Sequence, residues 1–424
     1  MRSNESMRGQ IGTLILATSC IQLANGFFGT LISLRVAIEN FEATMAGLVL
    51  SGYFAGFTLG AMRCGRIMER IGHIRAYAAF AGLVVVATTL MPFLIGALPW
   101  LVLRTLVGFG CAGIFITAES WLNAKAEPAE RGRVFSVYML GTFLALAIGQ
   151  FLIIRSNIET AAPFNAIVAL FAAALVMVTA TRAEPPGIAA AAMLPYGRLL
   201  RAAPVAAMGC VLSGLISGAF YTLVPAWMQD VGIARATIAL FMLVAVLGGL
   251  AFQVPIGQLS DRFDRRLVLA ALGLGFAGSA VALVILPRSL PVVVLLAVLL
   301  GGFLSTLYPV CVAHAHDRMP ADWVVPVSGR LILLSGIGSV VGPLIGTSLM
   351  ARFSIDGVFY FMAGAALLLA FLTASRSLTT AAPRHRERPF EILAPQAAML
   401  AHDQLASSRA RPSPAPVAVT ARED

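Results

Sequence analysis

The stretch Gly65–Arg75, GRIMERIGHIR, returns 192 residues later as Gly257–Arg266, GQLSDRFDRR. In each, a glycine is followed by an acid with a base beside it, Glu69 with Arg70 and Asp261 with Arg262. Further basic residues follow, Arg75 in the first copy and Arg265 and Arg266 in the second. Gly72, the second glycine of the first copy, has Asp264 as its counterpart. Two other landmarks keep the same order: Leu98-Pro99 recurs as Leu290-Pro291 at the same offset, and Gly132-Arg133 recurs as Gly329-Arg330 at 197. Three matched pairs in order mark an internal duplication, and the residues between them decide its kind.

Those residues are apolar. Of 424 residues 59% are hydrophobic and 12% charged, and the mean hydropathy is +0.87. A core burying all of them would leave too little polar surface to face water, which excludes a soluble enzyme. Twelve apolar runs reach the roughly 20 residues that a helix needs to cross about 30 Å of hydrocarbon. They lie near 10–32, 45–64, 76–96, 99–121, 134–154, 162–181, 204–228, 236–256, 267–287, 291–314, 328–350 and 356–375. A closed barrel would need strands that alternate apolar and polar residues, and runs such as VVVLLAVLLGGFL do not alternate. The expected fold is an all-α membrane protein of twelve spans in two pseudo-symmetric six-helix bundles.

The connector after the sixth span is rich in Pro and Ala, and the chain after the twelfth is rich in Pro, Ala, Ser and Arg. The expected organisation is therefore a first bundle at 1–181, a connector at 182–203, a second bundle at 204–375 and a disordered tail at 376–424. The net charge of +10 sits in the gaps. All Lys and Arg except Arg35, Arg104, Arg155, Arg235, Arg288 and Arg352 fall on the side that holds both termini. The positive-inside rule makes that side cytoplasmic, and the charge reads as topology and contact with anionic lipid rather than as a nucleic-acid surface. The first span reads as a retained helix and not as a cleaved signal. Cys20, Cys64, Cys111, Cys210 and Cys311 fall in or at the edge of spans without CxxC spacing, as small packing residues do.

The duplicated loop resembles the signature loop of the major facilitator superfamily, on Gly65, Glu69, Arg70, Gly72 and Arg75 and again on Gly257, Asp261, Arg262, Arg265 and Arg266. The likeness extends from residue 10 to 375. It implies a transporter whose two halves rock about a central site, with these loops as gates. Glu69 would meet the start of the eleventh span near Ser328 to Arg330, and Asp261 the start of the fifth near Gly132. An acid there would face unpaired N–H groups and the positive end of a helix dipole, worth about 0.3–1 kcal/mol. Arg104, Gly108, Gly110 and Ala112 in the fourth span are similar to a second motif of the superfamily, found mainly in proton-coupled members. The Gly-Pro stretch of drug antiporters is missing from the fifth span, where Gly149 is followed by Gln150, although Gly342-Pro343 stands in the eleventh.

Candidate site residues follow from charge and polarity at lipid depth. Arg104, Gly108, Cys111, Phe115 and Glu119 share one face of the fourth span. Arg104 and Glu119 are candidates for proton coupling, because ionisable groups in spans are costly unless they face a cavity or a partner. His314 and Asp317 can share a face at the end of the tenth span and form a second candidate pair. Gln22 and Asn25, three apart in the first span, with Tyr221, Gln253 and Tyr308, are the candidates for substrate contact. No phosphate loop is present, and Lys125 is the only lysine, so ATP is not the expected energy source. Neither a cofactor nor a metal is expected. The leading reading is a monomeric bacterial inner-membrane secondary transporter of a small solute, proton-coupled, with export favoured by the Arg104 motif. An importer or facilitator of the same fold, and a sensor or assembly partner that no longer transports, are the alternatives.

Overall fold

A computed structural model of the protein describes residues 2–127, 130–181, 196–320 and 323–379. Most of the expected connector and of the expected tail lies outside the described residues. Among the described residues there is no strand. The first half runs α1 (Arg2–Ile38), α2 (Ala43–Ile71), α3 (His73–Leu90), α4 (Ala97–Lys125), α5 (Arg131–Gly149), a 3-10 turn (Gln150–Ile153) and α6 (Ala162–Thr179). After the short α7 (Tyr196–Ala202) come α8 (Pro204–Asp230), α9 (Arg235–Arg262), α10 (Arg265–Ile285), α11 (Leu290–His316), α12 (Val324–Arg352) and α13 (Gly357–Thr379). Every helix except α7 is long and apolar enough to cross a membrane, which gives the twelve spans. Several outrun the apolar stretch that announces them, because a helix need not stop where hydrocarbon stops.

Helix contacts repeat between the halves. In the first, α2 lies against α4, α3 against α4 and α6, and α1 against α5 and α6. In the second, α9 lies against α11, α10 against α11 and α13, and α8 against α12 and α13. These are the same pairings one repeat later. The α2–α4 seam shows how such helices associate without a hydrophobic drive between them. Gly52, Gly56 and Gly60 recur every four residues on one face of α2, and a Cβ on Gly56 would run into the carbonyl of Thr105. One on Gly108 of α4 would run into the carbonyl of Tyr53, so only glycine admits this backbone approach.

The departure at Asp264 has a structural explanation. Gly72 sits at φ 82°, a left-handed conformation that lets α2 end and α3 begin within one residue. Asp264 reaches the same turn by another route. It stays at φ −59° and caps α10, its carboxylate accepting from the Arg266 N–H at 2.9 Å.

The halves meet where α2 runs along α12 and α5 along α9. At the end away from the signature loops, Gly47 abuts Thr347, and Ser33 Oγ donates to the Thr222 carbonyl at 2.5 Å. Midway along, Gly336 abuts Thr58. Toward the loop end no such close approach recurs at Gly65, Gly132 or Gly329, where an added Cβ would meet nothing within 4 Å.

Candidate functional site

The two signature loops are built from the same pattern but do different things. In the first, Glu69, Arg70 and Arg75 are exposed, and Glu69 has no hydrogen bond or ion pair among the described residues. The expected contact between Glu69 and the start of α12 is not made in this conformation. The second loop is a compact ionic cluster. Arg265, 2% exposed, pairs with Asp261 at 3.1 Å and with Asp317 at 2.8 Å, and donates to Ser260 Oγ at 2.8 Å. Arg266 binds the Asp264 carboxylate at 2.7 Å and donates to the Arg376 carbonyl at 2.7 Å. These hydrogen bonds from Arg266 hold the Asp264 carboxyl below its ordinary range, and burial holds Arg318 below its own.

The structure separates the pair His314 and Asp317. Asp317 faces Arg265, while His314 is buried without a bond to it. The histidine that bridges helices here is His316, whose Nε2 lies 2.9 Å from Ser328 Oγ at the start of α12.

Between the halves lies a cavity walled by α2, α8, α11 and α12. Tyr53, Thr58, Ser213, Ser217, Tyr221, Ser305, Tyr308, Ser335 and Ser339 give it hydroxyl groups, and Phe54 and Phe57 give it apolar faces. A smaller cavity shares Tyr53, Phe54 and Tyr221 with it and adds Asn25, Phe28, Gly29, Arg104 and Thr222. Of the residues expected to meet substrate, Tyr221 lines both cavities, Tyr308 the larger and Asn25 the smaller. Gln22 sits behind Asn25, accepting from its Nδ2 at 3.2 Å, and the fully buried Gln253 lines neither cavity. Gln150 holds helices together, accepting from Thr30 Oγ1 at 2.5 Å.

Arg104 is 3% exposed and opens into the smaller cavity. Its guanidinium lies 5.4 Å from the centre of the Phe28 ring and 5.0 Å from that of Tyr53. Its Nε has no hydrogen-bond partner, and no carboxylate among the described residues pairs with it. Two ring faces at about 0.5–2 kcal/mol each do not replace the hydrogen bonds that a guanidinium gives up on leaving water. The rest of its helix face is packed rather than open. Cys111 Sγ lies 3.6 Å from Asn25 Oδ1, and the Phe115 ring meets that of Phe57 at a tilt, with centres 6.3 Å apart.

Glu119, at the far end of that face, is fully buried within the helices. Tyr138 of α5 donates its hydroxyl to Glu119 Oε1 at 3.2 Å. Near it along α4, Ser120 Oγ lies 3.0 Å from His73 Nε2, and Trp121 meets the His73 ring edge-on. Sequence reasoning missed His73, which stands inside the signature loop and reads there as a surface residue. It also missed the hydroxyl groups of the central cavity. A serine in an apolar run gives little signal, because it can bond its own helix, as Ser213 does to the Cys210 carbonyl.

The Major Facilitator Superfamily profile matches residues 14–226 and, a second time, 206–415. The MFS-type transporter YcaD of Shigella flexneri is 29% identical over 361 residues, covering 84% of this chain and 91% of that one. An MFS-type transporter of Enterobacter sp. strain 638 is 30% identical over 368 residues, with the same coverage. Among solved structures, the nucleoside transporter NupG superimposes with a TM-score of 0.74 at 12% identity, covering 87% of this chain and all of that one. A D-xylose-proton symporter superimposes with a TM-score of 0.63 at 14% identity, covering 86% and 97%. At such identities the likeness is one of fold. With the twelve spans, the repeated pairings and the doubly matched profile in place, this multi-pass membrane protein belongs to the major facilitator superfamily of transporters.

Proposed function

We propose that the protein moves a small solute across the bacterial inner membrane by alternating access, in exchange for protons. Residues 1–181 and 204–375 are the rocking bodies, 182–203 the connector and 376–424 a cytoplasmic tail. Both termini and both signature loops face the cytoplasm on the positive-inside rule. The observation that carries this reading is the asymmetry of the seam. The halves touch at the end away from the signature loops, Glu69 has no partner among the described residues at the loop end, and hydroxyl-lined cavities lie between. Rocking would bring Glu69 onto the first turn of α12 and close the cytoplasmic mouth. Glu119, buried and held by Tyr138, is the proton carrier, since a carboxyl in that position gains much by being neutral in one state. Export is the favoured direction, on the resemblance of Arg104, Gly108, Gly110 and Ala112 to a motif found mainly in proton-coupled members.

Cysteine cross-linking tests the rocking. In an otherwise cysteine-free protein in liposomes, Glu69→Cys with Gly329→Cys should cross-link poorly at rest, and the yield should rise when a pH gradient is imposed. A yield that no pH gradient and no member of a broad solute panel alters would mean a static bundle.

A further inference from the structure

No carboxylate among the described residues pairs with the charge in the smaller cavity. Arg104 is nine-tenths buried and more, its Nε is unpartnered, and its neighbours are two aromatic rings. No acid lines either cavity. The space around the substrate candidates therefore carries one fixed positive charge and no negative one. A cation would be repelled there. A neutral solute would leave the guanidinium as costly as before, and a dianion would keep one charge uncompensated.

We infer that Arg104 is the charge anchor of the binding site and that the solute is a small organic monocarboxylate. The inference rests on the transporter reading and names its substrate class. The planar fork of a guanidinium offers two parallel N–H donors, which a carboxylate accepts at both oxygens. Phe28 and Tyr53 hold that fork between their rings, and the Asn25 side chain lines the same cavity. Beyond Tyr53 and Tyr221 the larger cavity continues, lined by Phe54, Ser305 and Tyr308, and accepts the body of the molecule. The hydroxyl groups there suit a polar or aromatic body better than an aliphatic chain. Arg104 is thus assigned a role different from the proton coupling for which the sequence made it a candidate.

The test is binding to the full-length protein in lipid nanodiscs, read as thermal stabilisation. The probes are acetate, lactate, gluconate and benzoate, with lactamide and benzamide as uncharged partners and chloride and sulfate as inorganic anions. At least one carboxylate should raise the melting temperature while its amide and the inorganic anions do not, and Arg104→Gln should weaken that binding by roughly tenfold or more. Arg104→Lys, which keeps the charge and loses the fork, should bind between the two. Without any ligand, Arg104→Met should melt at or above the wild-type temperature, because it removes a charge that no carboxylate among the described residues compensates. Three results would overturn the inference: no carboxylate preferred over the inorganic anions, equal binding by Arg104→Gln, or a ligand-free Arg104→Met that melts several degrees lower. Gradient-dependent cross-linking between positions 69 and 329 reads rocking alone. If it persists while carboxylates fail to bind, only the substrate class falls.

Discussion

Tyr138 on α5 and Glu119 on α4 share a hydrogen bond of 3.2 Å in a fully buried site, with the phenol donating to the carboxylate. Glu119→Gln keeps the shape and the bond but cannot carry a proton. Uptake or efflux down a solute gradient should survive in liposomes, whereas accumulation driven by a pH gradient should fall to background. Tyr138→Phe removes one donor, about 1 kcal/mol, and should slow gradient-driven transport about fivefold without abolishing it.

The α2–α4 seam predicts a steric penalty at single positions. Gly108→Val would push a branched side chain into the backbone of Tyr53. Overfilling of a tight contact costs typically about 1–3 kcal/mol, and here the obstacle is main chain, so the upper end applies. Detergent-purified protein should melt several degrees lower, while Gly82→Ala, which meets open space, should leave melting unchanged.

Asp317 and Arg265 form a buried pair, with side chains 4% and 2% exposed. Asp317→Asn removes the charge from one side only. Asp261 still faces the guanidinium, so the expected loss is about 1.5–3 kcal/mol rather than that of a stranded charge. Chemical denaturation in detergent measures it.

Acid should weaken the second loop in a defined window. The hydrogen bonds from Arg266 lower the Asp264 carboxyl below its ordinary value of 3.8. Stability from a depressed carboxylate is fully present above that ordinary value and is lost as pH falls through the lower, folded-state value. The wild-type protein should therefore exceed Asp264→Asn in melting temperature by a constant margin between about pH 5 and 8. The margin should shrink only below about pH 4. A margin that shrinks above pH 5 would point to another group.

The fold was legible because lipid simplifies the code. Apolar length alone announces a span, and the loop from Gly65 to Arg75 with its echo at Gly257 announces the duplication. Individual site residues were harder to read. Glu119 stood close enough to the end of its run to pass for an interfacial acid, and only the tertiary position of Tyr138 shows it sealed. His314 and Asp317 looked like partners by helical spacing, yet Arg265 from another helix supplies the stronger attraction to the carboxylate. Arg104 was conspicuous as a charge, but the absence of any acid around its cavity is a property of four helices at once. Tyr53 gave no signal as an aromatic residue in an apolar run, although it lines both cavities.

The twin loops are copies in backbone turn but not in electrostatic circumstance. Asp261 holds a guanidinium of its own half. Glu69 has no such partner among the described residues and can swing onto the opposite helix unopposed. A gene duplication has thus left a machine with one free pawl and one tethered pawl, and its two strokes should differ in speed.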